Sequence, residues 1–556
     1  MTKLRICAAL AAGALAVAGC SKDRGEETTA QLRRAASVER APEYLPRARW
    51  KVVRAVYGDR EYASLWLDGD RLNGRGRDLV EALCRAAAHG LRPGQYDLPG
   101  LLKDLESLKD DGATAEELAR LDLRLTSLFV DFGADLLAGQ VDPRVVDSGW
   151  YIKERRAQVD STLRVAARAE AFEAMLAPLL PGQPEYAQLV RGLASYRALA
   201  ARGGWPAVPA GGALRPGATG PRVAALRARL AASGDLDATQ STGDAYDAAL
   251  KAAVAHFQAR HGLKADSVAT PATLAAANVP VERRIQQLEL NLERIRWLPK
   301  AFGDRHILVN IPDFALRAYD GGEEVLNMRV VVGKQYESAT PIFADTMSYV
   351  VFRPYWNVPA GIVREEIVPK MRENTQWIAA NNYELVDPKN DSLVIDPGTI
   401  DWEGVDTATF DYRVRQKPGP TNSLGKVKFM FPNQFDIYLH DTPSKSLFSR
   451  TERDFSHGCI RVEHPDRLAR YVFSGAGGMS EAEIREAMSG EESRTVTVKN
   501  RLPVYIVYLT AFARGGALHF REDIYGADRR ALARLRPTRR DAVASTCEAI
   551  RTLVGD

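Results

Sequence analysis

The sequence predicts a multidomain α+β protein. Three observations carry that reading. The chain has 556 residues, enough for several domains that each bury a core. Apolar residues recur at helical spacing from about 43 to 205, and again in shorter runs up to about 298. From about 305 the period changes to alternation, which marks strands with one buried face.

Taken in order, the first twenty residues read as an export leader. Lys3 and Arg5 form a basic start, and Ile6 to Gly19 is an apolar run too short for a comfortable membrane span. The run ends Val17-Ala18-Gly19-Cys20, which resembles a bacterial lipobox. That resemblance implies cleavage before Cys20, lipid attachment to it, and an exported, periplasm-facing protein anchored to a bacterial membrane. An ordinary secretory signal or an uncleaved anchor are the alternatives. Residues 21–42, rich in Glu, Arg, Thr and Ala, read as a flexible tether.

Residues 43–205 read as a helical scaffold. Thr114-Ala115-Glu116-Glu117 is a capping box, followed by Leu118, Leu121, Leu125, Leu128, Phe132 and Leu136 at helical spacing. Ala88-His89-Gly90 reads as a helix end, and no catalytic constellation is visible. Gly203-Gly204, Pro206, Pro209 and Gly211-Gly212 mark a linker. A compact three-helix module follows over 213–278, with Val223, Leu226, Leu230, Leu250, Val254 and Phe257 as its core. His261, beside Gly262, reads as a helix-terminal residue rather than a ligand. Residues 281–300 give a connector helix striped by Ile285, Leu288, Leu292 and Ile295.

Residues 305–510 read as a β-rich domain. An insertion of helix and loop at about 361–416 interrupts it and has the position of a lid. Val427, Phe429 and Phe431 alternate, as do Phe435, Ile437 and Leu439, with Pro432-Asn433 between them. This predicts a hairpin with Tyr438 and His440 on one face. Ser480-Glu481-Ala482-Glu483 is a second capping box, and 495–498 and 504–509 are late strands. Residues 511–556 form a C-terminal extension, Arg-rich from Arg529, expected as a solvated helical face.

A net charge of +4 on this length gives no reason to expect nucleic acid as partner. Outside the leader, the cysteines are Cys84, Cys459 and Cys547. Their wide spacing shows neither a disulfide framework nor a zinc motif. A Cys84–Cys547 bridge is one reading, and two buried thiols the simpler one. No metal or cofactor site is apparent.

The chemistry concentrates in Ser456-His457-Gly458-Cys459-Ile460-Arg461 and in His440 upstream. A thiol needs a base to become a nucleophile at neutral pH, and histidine is the natural one. Gly458 permits close backbone approach, and the Gly458 and Cys459 amides are candidate oxyanion donors. The stretch is similar to the active-site signature of the L,D-transpeptidase (YkuD-type) family: a His, about fifteen residues, then Ser/Thr-His-Gly-Cys, a hydrophobic residue, and Asn or Arg. Here fifteen residues separate His440 from Ser456, and Arg461 fills the last place.

The resemblance implies that Cys459 is the nucleophile and His440 the proton donor and acceptor. Ser456, His457, Gly458 and Arg461 complete the loop; apart from the resemblance, the place of Tyr438 on the His440 strand face makes it a candidate for a further hydrogen bond. Arg461 either orients a stem carboxylate or braces the loop. Residues 213–278 resemble a peptidoglycan-binding domain, with Ser267 after Asp266 where that family commonly has Gly. The scaffold and the insertion resemble those of the larger YcbB-like members. The implied reaction joins peptidoglycan stem peptides through 3→3 cross-links by way of a cysteine thioester, and carbapenems are implied as covalent inhibitors. The alternatives are an L,D-carboxypeptidase or hydrolase using the same acyl-enzyme, and a non-catalytic lipoprotein that tethers the wall.

Overall fold

The computed structural model describes residues 24–555 except 109–111, 153–158, 336–337, 391, 408, 476 and 535–539. The leader and Cys20 lie outside the described residues. No helix among the described residues is long and apolar enough to cross a membrane.

The N-terminal region is helical apart from a two-residue ladder between 67–68 and 71–72. Residues 24–36 are helical, with Leu32 and Ala36 buried one turn apart. Much of the expected tether is therefore a packed element, because an i, i+4 apolar pair finds a core to cover. Helix α1 (Ala115–Ala138) runs through the centre of this region, and its Thr114–Glu117 capping box is made in both directions. Its Asp122 is fully buried and accepts from the Leu65 and Trp66 amides at 3.1 and 3.0 Å and from the Tyr57 hydroxyl. The charge is thereby satisfied inside the core. Helix α2 (Pro184–Ala201) leaves this region and packs on the rest of the molecule.

The small module has its own core, built by α3 (Pro221–Ala232), α4 (Ala248–Arg260) and α5 (Pro271–Ala277). Asp247 and Thr270 cap α4 and α5. Ser267 takes a left-handed φ of 61°, held by its N–H to the Gln258 side chain and its carbonyl to the Tyr246 hydroxyl. These bonds do locally what a glycine achieves by having no Cβ. His261 terminates α4 and is buried, stacked on Phe257 at 3.8 Å.

Helix α6 (Val281–Trp297) is more than a connector. Its second half is buried all round. Glu293 accepts from the Gln140 and Val141 amides, and Arg296 pairs with Glu293 while donating to the His89 carbonyl and the Tyr186 hydroxyl. Asn291 bonds both ways to Thr510. One helix thus ties the N-terminal region to the β domain through satisfied polar pairs.

The β domain contains β1 (His306–Asn310), β2 (Ala315–Asp320), β3 (Glu323–Gly333) and β4 (Phe343–Phe352). The inserted subdomain follows, with β5 (Trp356–Asn357), β6 (Tyr383–Val386), β7 (Val394–Ile395) and β8 (Arg413–Gln416) in a separate sheet over its own core. The chain returns with β9 (Val427–Met430), β10 (Leu439–His440), β11 (Asp454–Ser456), β12 (Ile460–Val462) and β13 (Arg494–Val507). The main sheet runs β11-β3-β12-β10-β9-β4-β13-β1-β2, and β2 also pairs with β3. That extra pairing closes the sheet on itself and removes two open edges. The two expected late strands are one strand, β13, with a register shift between Thr497 and Leu502.

The C-terminal extension is built into the fold. Strands β14 (Ala511–Arg514) and β15 (Ala517–Phe520) form a hairpin whose Ala511, Phe512 and Phe520 join the main core. Helix α7 (Arg540–Gly555) docks on the N-terminal core through Cys547 and Ile550. Cys547 forms a disulfide with Cys84, and Arg551 pairs with Glu81 one turn away. The tail is thus half core helix rather than a solvated face, and the two cysteines are a bridge rather than buried thiols.

Candidate active site

Strand register assembles the site. Lys428 lies opposite His440 across β9–β10, and His440 opposite Arg461 across β10–β12. One step along, Tyr438 sits beside Cys459, with the Ile460 amide bonded to the Tyr438 carbonyl at 3.1 Å. Side chains two apart share a face. Lys428, Tyr438, His440, Cys459 and Arg461 therefore share one, while Val427, Phe429, Leu439, Ile460 and Val462 fill the core behind it.

The expected strand over 435–440 is shorter than predicted. Only Leu439 and His440 pair as β10, and residues 433–437 form a turn. The Asn433 side-chain oxygen Oδ1 accepts from the Phe435 and Ile437 amides, and its side-chain Nδ2 donates to the Phe431 and Ile437 carbonyls. Asp436 adopts φ 52°, a conformation Asp tolerates better than most residues. This turn brings the Asp436 carbonyl to 3.6 Å from the Cys459 sulfur.

The loop carrying Cys459 is braced from within. The Ser456 hydroxyl donates to the Cys459 carbonyl at 2.6 Å and accepts from the Gly458 amide at 3.2 Å. The Gly458 N–H is thus occupied, contrary to the expectation that it faces an oxyanion. The Cys459 N–H has no partner among the described residues. Gly458 has φ 114°, where L residues rarely go. Its backbone also passes so near Gly333 that a Cβ on Gly333 would sit 3.0 Å from the Gly458 Cα. Thr340 locks this crossing: its hydroxyl donates to the Gly458 carbonyl at 2.7 Å and accepts from the Gly333 amide at 2.9 Å. From the C-terminal extension, the Tyr525 hydroxyl donates to the Gly333 carbonyl at 2.5 Å and accepts from the Thr340 amide.

The electrostatics leave thiol and imidazole neutral at rest. Burial pushes Cys459 up to about 11, opposed by hydrogen bonds from the Tyr438 amide and phenol to the sulfur and by the nearby Arg461 charge. His440 is pushed down to about 3, chiefly by burial and then by the Arg461 and Lys428 charges. Its Nδ1 lies 2.6 Å from the Asp441 carbonyl. A carbonyl only accepts, so Nδ1 carries the proton and Nε2 is the acceptor.

His457 points away from this row. It is exposed and pairs through Nε2 with Glu366 of the inserted subdomain at 3.0 Å. Glu366 lies in a π-helical turn, Val363–Ile367. A second contact from the same subdomain is the hydrogen bond of Trp356 to the Tyr438 side chain. Of the residues singled out from sequence, Tyr438, His440, Cys459 and Arg461 are together on one face. Ser456 and Gly458 support the loop from below, and His457 meets the cap. Sequence reasoning missed Lys428, Thr340, Tyr525, Trp356 and Glu366. A signal existed only for Lys428, a cation in the outward phase of the Val427, Phe429 alternation that ends opposite His440.

Comparison with known proteins gives three matched regions. Residues 304–484 match the L,D-transpeptidase catalytic domain (YkuD), 51–193 a scaffold domain, and 219–277 a "putative peptidoglycan binding domain". A curated protein of Haemophilus influenzae named "Putative L,D-transpeptidase" is 38% identical over 246 residues, 44% of this chain. The match spans 48% of that relative's length. A crystal structure of an L,D-transpeptidase from Xylanimonas cellulosilytica is similar at 17% identity with a TM-score of 0.17, covering 54% of this chain and 99% of that one.

Proposed function

We propose that this chain, which carries an L,D-transpeptidase catalytic domain behind a scaffold and a peptidoglycan-binding module, forms 3→3 cross-links between peptidoglycan stems through a thioester on Cys459. The observation that carries this reading is the shared face of His440, Tyr438, Cys459 and Arg461, set by strand register.

His440 Nε2 takes the Cys459 proton as the thiolate attacks the carbonyl between the third and fourth stem residues. The Tyr438 amide and phenol stabilise the sulfur's charge until the C–S bond forms. The Cys459 N–H is the free donor for the oxyanion. The imidazolium returns its proton to the departing amine, the C–N bond breaks, and a thioester remains. A side-chain amine of a second stem attacks the thioester, its proton passes to His440 and then to the sulfur, and the free thiol returns. Since Cys459 and His440 are both neutral at rest, charge separation accompanies substrate binding rather than preceding it.

The module at 219–277 supports wall binding, and the Cys84–Cys547 bridge supports an oxidising compartment. Both support an exported enzyme, and anchoring through Cys20 rests on the lipobox-like Val17-Ala18-Gly19-Cys20. The strained lactam of a carbapenem resembles the donor amide, so Cys459 is its expected site of acylation.

The test is mass spectrometry of products from disaccharide-tetrapeptide, using the chain without residues 1–20 and its Cys459→Ala and His440→Ala variants. A cross-linked dimer made by the wild type and lost in both variants is the expected result. Tripeptide without dimer would replace the reading by carboxypeptidase action. Sacculus binding without any product would replace it by tethering.

A further inference from the structure

The row Lys428–His440–Arg461 puts a cation on each side of the catalytic histidine. Three other cations near the site are paired with carboxylates. Lys445 pairs with Asp441, Arg329 with Glu463, and Arg415 with Glu384. Among the described residues neither Lys428 nor Arg461 has such a partner. The Arg461 Nε is buried with no hydrogen bond, and the Lys428 ammonium rests 5.7 Å from the Tyr438 ring centre. Two unpaired, partly buried cations in one row of one face, on the strands either side of β10, repel each other and lose hydration. The arrangement makes sense when an anion completes it.

We propose that Lys428 and Arg461 form a two-cation clamp for the free C-terminal carboxylate of the donor stem, holding it above His440. This deepens the transpeptidase reading and rests on it. Adjacent strands are about 4.8 Å apart, so Lys428 and Arg461 are separated by about 10 Å at their Cα atoms. Their long side chains span that gap onto one carboxylate. The Cys459 row and the clamp row are two residues apart, about 6.7 Å. The carboxylate of the leaving residue lies about 3.5 Å from the scissile carbonyl. A carbonyl over the sulfur therefore places that carboxylate toward the clamp.

Two consequences follow. The clamp measures donor length, because one further residue moves the carboxylate outward by about 3.5 Å. The bound carboxylate also offsets the two charges that weaken His440 as a base, so the imidazole gains basicity when a correct donor is seated.

The experiment compares the full-length chain in detergent with its Lys428→Met and Lys428→Arg variants. The donors are a tetrapeptide stem with a free C-terminal acid and the same stem as its C-terminal amide. Mass spectrometry follows loss of the terminal residue. The wild type is expected to prefer the acid at least tenfold in kcat/KM. Lys428→Met should lose most of that preference, mainly through KM on the acid, while Lys428→Arg should keep it. A wild type that treats acid and amide alike overturns the clamp whatever the variants do. A Lys428→Met variant that is slower on both donors by the same factor also overturns it, leaving Lys428 as a neighbour of His440 only. A wild type inactive on both donors, with carbapenem still adding to Cys459, counts against the donor assignment in the proposed function rather than the clamp geometry alone.

Discussion

Replacing Thr340 with valine keeps the side chain's shape and removes one hydroxyl. That hydroxyl serves two buried partners, the Gly458 carbonyl at 2.7 Å and the Gly333 amide at 2.9 Å. Thr340 itself is 2% exposed, so water has no easy route to replace it. A buried polar group left unpaired costs about 1–3 kcal/mol. Two such groups give about 2–6 kcal/mol, and because they are neighbours that relax together, the lower half of that range is expected. The loss should be local to the β domain. Pulsed alkylation of Cys459 across a urea series reads it directly, since Cys459 is the free cysteine among the described residues. The variant's midpoint should fall. Below the transition, donor cleavage should also slow at least tenfold, because Thr340 holds the Gly458 backbone that aims the sulfur and the Cys459 N–H. An unchanged midpoint together with a wild-type rate would refute the bracing argument.

Gly458→Ala should be more damaging to activity than to stability. The added Cβ meets Ile437 at 3.1 Å and φ 114° is strained for alanine, so a cost of about 1–3 kcal/mol and near-complete loss of turnover are expected from kinetics and melting. Cys84→Ser should lower the melting temperature of the N-terminal region and leave α7 exchanging its amides faster, which hydrogen exchange resolves. Alkylation of Cys459 by iodoacetamide, without substrate, should be slow at pH 7. It should rise about tenfold per pH unit toward pH 10, because burial pushes the thiol up to about 11. A rate that plateaus between pH 6 and 8 would instead mean a preformed thiolate–imidazolium pair.

The catalytic loop was legible because its chemistry is local. Ser456, Gly458 and Cys459 lie within four residues, and His440 ends a run whose alternation is visible. The turn before it is not the tight hairpin that the alternation predicts, because Asn433 and a left-handed Asp436 shape it. The domain order was readable from the change of period near 305. The rest depends on contacts that no window of sequence contains. Beyond the neighbouring Ser456, the partners of Gly458 are Thr340 and, through Gly333, Tyr525, each far away in the chain. Cys84 and Cys547 are 463 residues apart, and nothing between them predicts a bridge. The composition of residues 24–36 is polar and reads as a tether, yet Leu32 and Ala36, buried one turn apart, seat the helix on the core.

A ribosome makes α7 long after the N-terminal helices whose core it finishes. Until Cys547 and Ile550 arrive, the N-terminal helices lack part of their cover and Cys84 has no partner. A chain cut short anywhere upstream would carry an unfinished first domain, however well its later parts had folded. Only a chain translated through α7 can seal this region, and one terminated before α7 leaves the N-terminal core open to proteases.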